Sequence, residues 1–284
     1  MKLLTVLLLA AVITAPADEK KKKGENCCAG ATEEFAAFGK DMAFVAAHEA
    51  PLPAAMKLDG GTMKEIPAAD GQKARIFEVK APAPTQKFLF VIHEWWGLND
   101  YIKAESERLQ KELGDVTVIA LDLYDGRVTA DPQTAAQYVQ QVKEKRAQTI
   151  IKAAMEFAGP GARVATLGWC FGGGWSLQSA LLLGPQAAGC VVYYGMPEKD
   201  VKRLRTLQCD VLGVFASQDG HITPKVVEQF VKNMKAAKKA LAVHSYDAVH
   251  AFANPSNPKY DQEKAEDAHA KVIAYLKAKF QAAP

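Results

Sequence analysis

The sequence predicts an α/β fold: one doubly wound, mainly parallel sheet with helices on both faces. Three observations carry that expectation. Short, continuous apolar runs recur along the chain, as strands covered on both faces require. Helical periodicity fills the intervals between them, and repeated βα alternation implies parallel pairing. One apolar run ends in Gly168-Trp169-Cys170-Phe171-Gly172 and leads directly into a helical stretch, the pattern of a sharp strand-to-helix turn that presents a nucleophile. A chain of 284 residues with 49% hydrophobic content can bury the core this sheet needs within one domain.

The chain opens with a targeting segment. Lys2 supplies a positive charge, residues 3–14 are apolar, and Ala15-Pro16-Ala17 offers a cleavage site before Asp18. The apolar stretch is short for a bilayer span, which argues against an uncleaved anchor. No Cys stands at the cleavage point, which argues against a lipoprotein. Residues 1–17 therefore read as a signal peptide, and the mature protein as exported, in the periplasm, with no stable membrane insertion. Lys20 to Lys23 with Gly24 form a charged, solvated tail. Residues 32–48 place Phe35, Phe38, Met42 and Val45 at helical spacing, and Pro51 and Pro53 stop that helix. It is expected on the flank of the domain, with His48 at its end as a surface residue. Residues 18–60 thus form a tail and flanking helix, and residues 61–284 the catalytic domain.

Within that domain, residues 62–66 and 73–80 flank Ala68-Ala69-Asp70-Gly71, a hairpin signal. The apolar run 87–92 is the first core strand. A helix at 100–113, a strand at 116–121 and a helical region at 132–158, broken once, follow. The strand at 163–167 leads into the Cys170 turn and its helix over 175–183. Strands at 189–194 and 211–216, a helix at 224–237, a strand at 241–246 and a terminal helix at 262–280 complete the alternation. Loops at the carboxyl ends of these strands are where such sheets carry their sites.

Cys170 sits at a helix N-terminus, where the backbone favours a thiolate. The two flanking glycines are expected because a Cβ there would clash with the neighbouring strand and helix. The nucleophile turn requires an acid and then a His further along the chain. Asp219 follows the strand at 211–216 and His250 follows the strand at 241–246, so both leave the same edge of the sheet as Cys170. His244 lies inside a strand, His221 is too close to Asp219 in sequence, and His269 falls on the outer face of the last helix. The five cysteines matter in an oxidising compartment, because an odd number leaves at least one thiol unpaired unless chains crosslink. Cys170 is the candidate for that thiol. Adjacent Cys27 and Cys28 lack a further ligand nearby, leaving a disulfide to another chain or no role, and the pairing of Cys190 with Cys209 stays open.

Gly-Trp-Cys170-Phe-Gly-Gly, His93-Glu94-Trp95-Trp96-Gly97-Leu98-Asn99, Asp122-Leu-Tyr124, Gln218-Asp219 and His250-Ala-Phe252 together resemble the dienelactone hydrolase family, over residues 60–280. These are α/β-hydrolases with a Cys-His-Asp triad. The resemblance implies that Glu94 contacts the resting thiol and accepts its proton, and that the backbone N–H groups of Trp95 and Phe171 form the oxyanion hole. It implies acyl transfer from a small-molecule ester or lactone, with a Cys170 acyl-enzyme that His250, oriented by Asp219, helps water to hydrolyse. It implies no metal and no organic cofactor. Two arginines hold the substrate carboxylate in the resembled family. Arg127 lies near the first of those places, displaced by one residue, and Asn254 occupies the second. Asn cannot supply charge-assisted bidentate binding. Trp95, Trp96, Tyr124 and Phe252 suggest an aromatic wall instead. A thiol redox protein using Cys170 and a non-catalytic member of the fold are the competing readings. The formal net charge of +3, without a basic stripe, argues against a nucleic-acid partner. Monomer and homodimer are both compatible with the sequence.

Overall fold

A computed structural model of the chain describes residues 30–53 and 56–282. The expected signal peptide, the lysine tail and Cys27-Cys28 lie outside the described residues. In chain order the elements are α1 (Ala31–Phe38), α2 (Met42–Ala47), β1 (Thr62–Pro67), β2 (Lys73–Val79), β3 (Lys87–Ile92), α3 (Asp100–Leu113), β4 (Thr117–Leu121), α4 (Pro132–Gln141), α5 (Glu144–Ala158), β5 (Arg163–Trp169), α6 (Phe171–Leu183), β6 (Ala187–Tyr193), α7 (Val201–Arg205), β7 (Val211–Ala216), α8 (Pro224–Ala237), β8 (Leu241–Tyr246) and α9 (Gln262–Gln281). The expected strands and helices are present, with ends shifted by at most a few residues. The five-residue α7 has no counterpart in the sequence reading, because it is too short to show periodicity.

The eight strands form one sheet in the order β1-β2-β4-β3-β5-β6-β7-β8. β1, β2 and β4 pair antiparallel, and every pairing from β4 through β3 to β8 is parallel. The central strands are buried on both faces, which is why they read as unbroken apolar runs. α3 and α9 pack on each other, as do α5 and α6. Helix starts follow from local chemistry: Asn99, Asp131 and Asp261 each accept a backbone N–H from the first turn of the helix they precede.

Register decides which residues share the carboxyl edge. Ile92 on β3 pairs with Gly168 on β5, so Glu94 and Cys170, each two residues on, leave the sheet at the same level. Ala216 on β7 pairs with Tyr246 on β8, so the loops carrying Asp219 and His250 start side by side.

Two expectations fail at the periphery. The N-terminal helix is two helices, broken at Gly39-Lys40-Asp41, and it does not lie on the flank. Phe35 packs 6.0 Å from Phe171, and Phe44 packs 5.4 Å from Trp95, ring centre to ring centre. Residues 31–52 form a strap across the carboxyl edge of the sheet, and its far end is held by the Leu52 N–H donating to the Ser256 carbonyl at 2.8 Å. His269 is not on an outer face either. It is buried between α9 and α3, with Nε2 2.8 Å from Glu112 and Nδ1 3.4 Å from Glu105.

Candidate active site

β5 turns into α6 at Cys170, whose φ of 56° and ψ of −118° form a conformation rarely adopted by a residue with a side chain. Such strain costs about 1–3 kcal/mol and persists only where neighbours hold it. Here the Cys170 N–H donates to the Tyr193 carbonyl and the Gly173 N–H to the Cys170 carbonyl, both at 3.0 Å. The flanking glycines are required by space: a Cβ on Gly168 would lie 2.1 Å from the Gly172 carbonyl oxygen, and one on Gly172 would lie 2.3 Å from that of Ile92. The Trp95 N–H after β3 has no backbone acceptor among the described residues, and the Phe171 N–H at the start of α6 faces the Cys170 sulfur; amides so placed can serve as donors of an oxyanion hole.

The structure brings Asp219 and His250 to the same place. Asp219 is fully buried. Its Oδ1 accepts from the backbone N–H groups of His221 (2.8 Å) and Ile222 (2.9 Å), and its Oδ2 lies 2.5 Å from His250 Nδ1. That bond assigns the proton of His250 to Nδ1, leaving Nε2 toward Cys170. A ring nitrogen of His250 and Cys170 Sγ lie within 4.8 Å. Burial pushes the Asp219 carboxyl up, but the attraction of His250 and the hydrogen bonds outweigh it and bring the group down to about 2. Burial pulls His250 down and is outdone by Asp219, then Cys170, so the imidazole is raised above its usual range. Burial raises the Cys170 thiol against the pull of His250. The resting sulfur is therefore protonated at neutral pH.

Glu94 leaves β3 into the same cavity and is buried. Burial raises its carboxyl to about 7, partly offset by His250 and by Asn254. Asn254 explains its own position. Its side-chain amide donates to Glu94 Oε2, while its Oδ1 accepts from the N–H and the hydroxyl of Ser256 at 2.8 and 2.7 Å. Asn254 thus holds the carboxylate of Glu94, and its amide is already engaged.

Arg127 is not brought to the cavity, contrary to the substrate-binding role expected for it. Its Nε donates to the Tyr124 carbonyl, its Nη1 donates to Gln141 Oε1 at 2.6 Å, and its guanidinium lies 4.6 Å over the Tyr138 ring. Trp95 and Trp96 line the cavity beside Cys170. Tyr124 and Phe252 stand one layer back: Tyr124 packs 5.3 Å from Phe171, and Phe252 is packed between Tyr194 and Tyr246. Both back the wall rather than line it.

Two residues that sequence reasoning missed join the site. Tyr194, with φ of 33°, sets its ring 5.0 Å from His250. A second Tyr at the end of a strand carries no signal of that strain in its sequence. His48 is the other, and the expectation of a surface position is wrong. It is 8% exposed, its Nδ1 donates to the Phe44 carbonyl at 2.7 Å, and its ring lies 4.4 Å from Trp95 and 5.1 Å from His250. His221, set aside for the triad, turns instead to Asp41 of the strap at 3.3 Å. Cys190 and Cys209 are free thiols.

Comparison with known proteins agrees with this architecture. A model of the dienelactone hydrolase family matches residues 73–280. The chain is 32% identical to a carboxymethylenebutenolidase of a Pseudomonas species, over 48% of this chain and 56% of that one. It is 23% identical to carboxymethylenebutenolidase 1 of Cupriavidus pinatubonensis, over 75% of this chain and 94% of that one. Among solved structures, a dienelactone hydrolase-like promiscuous phosphotriesterase from metagenomic libraries superposes with a TM-score of 0.67 at 19% identity, over 78% of this chain and 99% of that one. The fold is that of the α/β-hydrolases, and the chain is a hydrolase belonging to the dienelactone hydrolase family.

Proposed function

We propose that the protein cleaves ester or lactone bonds through an acyl-enzyme on Cys170. The observation that carries the reading is the convergence of a strained Cys170, a His250 ring nitrogen within 4.8 Å of its sulfur, and Asp219 at 2.5 Å from the other nitrogen of that ring. Glu94, raised to about 7, is the acceptor for the thiol proton. It is poised near neutral pH, where a general base is most useful. The thiolate attacks the substrate carbonyl, and the Trp95 and Phe171 amides hold the oxyanion. The alkoxide leaves with the Nε2 proton of the His250 imidazolium, the form that Asp219 favours. His250 then takes a proton from water, the resulting hydroxide releases the acid from Cys170, and Glu94 returns its proton to the sulfur.

The relatives named carboxymethylenebutenolidase support a lactone or ester as substrate. Asn254 is neutral and already bonded to Glu94, and Arg127 is held elsewhere, so recognition rests on apolar contact with Trp95 and Trp96 rather than on a substrate carboxylate. The test is a panel of aryl esters, simple lactones and dienelactone, assayed with wild type, Cys170→Ser and His250→Ala. Wild type should turn over neutral aryl esters and lactones better than dienelactone and form an acyl adduct on Cys170 visible by mass spectrometry. His250→Ala should lose about 10²–10⁴-fold in kcat. No turnover of any ester or lactone, or full activity in His250→Ala, would sink the reading. Residues 1–17 are proposed to direct export, so the N-terminus of the secreted chain should be Asp18.

A further inference from the structure

Three ligand-type side chains meet at the nucleophile, and the triad accounts for only two of them. A ring nitrogen of His48, a ring nitrogen of His250 and Cys170 Sγ lie within 4.8 Å of one another. Both Nδ1 atoms are committed, that of His48 to the Phe44 carbonyl and that of His250 to Asp219. The two Nε2 atoms remain. Both are buried, and neither has a hydrogen-bond partner among the described residues. An orphaned buried imidazole nitrogen is costly and demands a reason. Acyl transfer needs one imidazole on the sulfur and gives no reason for the second.

We propose that His48, His250 and Cys170 bind a zinc ion. Two imidazoles and a thiolate are the donors zinc prefers, with a fourth position left for another ligand. Bonds of about 2.0–2.3 Å place neighbouring donor atoms of a tetrahedral site roughly 3.3–3.8 Å apart, so the three atoms, all within 4.8 Å of one another, close on an ion by a contraction of at most about 1–1.5 Å. The outer partners are already those of metal-ligating histidines: a backbone carbonyl for His48 and a carboxylate for His250. They fix each ring with its Nε2 lone pair toward the ion. The fourth position is left to water. On binding, the Cys170 S–H bond breaks and a zinc–sulfur bond forms. The thiol proton, and any proton on His250 Nε2, leaves to solvent, and no oxidation state changes. The metal-bound sulfur is closed to substrate, alkylating agents and oxidants. Because His48 belongs to the strap, the ion also pins the strap over the site. Inhibition of hydrolysis rests on the acyl-transfer reading of Cys170, but the binding itself does not.

The test uses the full chain, freed of metal by a chelator. Zinc is measured by equilibrium dialysis. Cobalt(II) serves as a coloured substitute, because a thiolate ligand gives it a near-ultraviolet charge-transfer band and a tetrahedral site gives intense visible bands. One equivalent should bind, Mg²⁺ should not compete, and zinc should protect Cys170 from iodoacetamide until chelator is added. Cys170→Ser should lose the charge-transfer band. His48→Ala and His48→Phe should each weaken zinc binding by at least about 100-fold, the loss of a first ligand exceeding the 10–100-fold typical of outer-shell partners. The Phe variant retains ring packing against Phe44 and Trp95, so its effect reports the missing nitrogen. Absence of the charge-transfer band, or unchanged affinity in both His48 variants, overturns the proposal. A chain that binds zinc here but hydrolyses no ester would keep the metal site and remove the acyl-transfer reading. A chain that hydrolyses esters and ignores zinc would do the reverse.

Discussion

Glu94 is the residue whose surroundings say most about how the site runs. A carboxyl buried between aromatic walls resists ionisation, and here it is raised from 4.5 to about 7. The sign follows directly. Its folded-state pKa lies above the unfolded one, so its contribution to stability is complete below about pH 4.5 and is lost as pH rises through 7. Activity runs the opposite way, because the ionised form is the base. The reading predicts a kcat/KM limb rising through about pH 7 that disappears in Glu94→Gln, with a loss on the order of 10²-fold or more at pH 8. Asn254→Ala removes a bond that favours the carboxylate and should move that limb to higher pH without abolishing it. A pH profile unchanged in Glu94→Gln would show that His250 alone takes the thiol proton. Asp219 behaves oppositely in stability. It is lowered from 3.8 to about 2, so it stabilises the fold above about pH 3.8 by roughly 2 kcal/mol, and that stabilisation is lost as pH falls through 2.

The strap of α1 and α2 is the element whose role could not be read in advance. Helical spacing alone places Met42 on the same face as Phe35 and Phe38. The chain instead breaks at Gly39, and Asp41 caps a new helix, accepting the Ala43 N–H at 2.9 Å. The break resets the phase, so Met42 is 67% exposed while Phe44 is buried. Nothing local in the sequence says that the second helix meets Trp95 and His250. The meeting of Cys170, Asp219 and His250, by contrast, was legible, because these residues follow strands whose apolar runs mark where the sheet ends. With the strap in place the cavity at Cys170 is about 10 Å³, room for about one water molecule. Substrate entry therefore requires the strap to lift. Phe44 holds it, packed against Phe35, Phe38, Trp95 and His221. Truncating a buried Phe costs about 3–5 kcal/mol. If the loss falls on local opening, the open population rises about 100-fold or more. Phe44→Ala should then speed iodoacetamide labelling of Cys170 by that factor while the main unfolding transition moves far less. Equal labelling rates in wild type and variant would mean that the strap is not the barrier.

At the scale of the whole molecule, the parallel strands β3, β5, β7 and β8 lead to Glu94, Cys170, Asp219 and His250, and the antiparallel strands β1 and β2 extend the sheet beyond β4. Alternation of apolar runs and helical segments made that order of elements readable, since each strand must be buried on both faces. The joints between elements were not readable, because they depend on side chains distant in sequence. Arg146 is such a joint. It reaches from α5 to Asp70 in the β1–β2 turn at 3.0 Å, to the Lys73 carbonyl at 2.7 Å and to Asp125 in the loop after β4 at 2.6 Å. Its side chain is only 13% exposed, so solvent screens these contacts less than at an ordinary surface ion pair. Hydrogen bonds to charged groups contribute about 1.5–3 kcal/mol each in favourable settings, although they do not add within one network. Arg146→Ala should therefore cost about 2–3 kcal/mol and lower Tm by roughly 4–10 °C for a domain of this size. Arg146→Lys should recover only part of the loss, because a single ammonium cannot span three acceptors. These contacts lie on the same carboxyl edge as Cys170 but beyond β4, and Arg146 touches none of the residues around the sulfur, so ester hydrolysis at 25 °C should be unchanged in both variants. A fall in kcat at that temperature without a fall in Tm would show that the hairpin edge and the catalytic edge are coupled through the sheet.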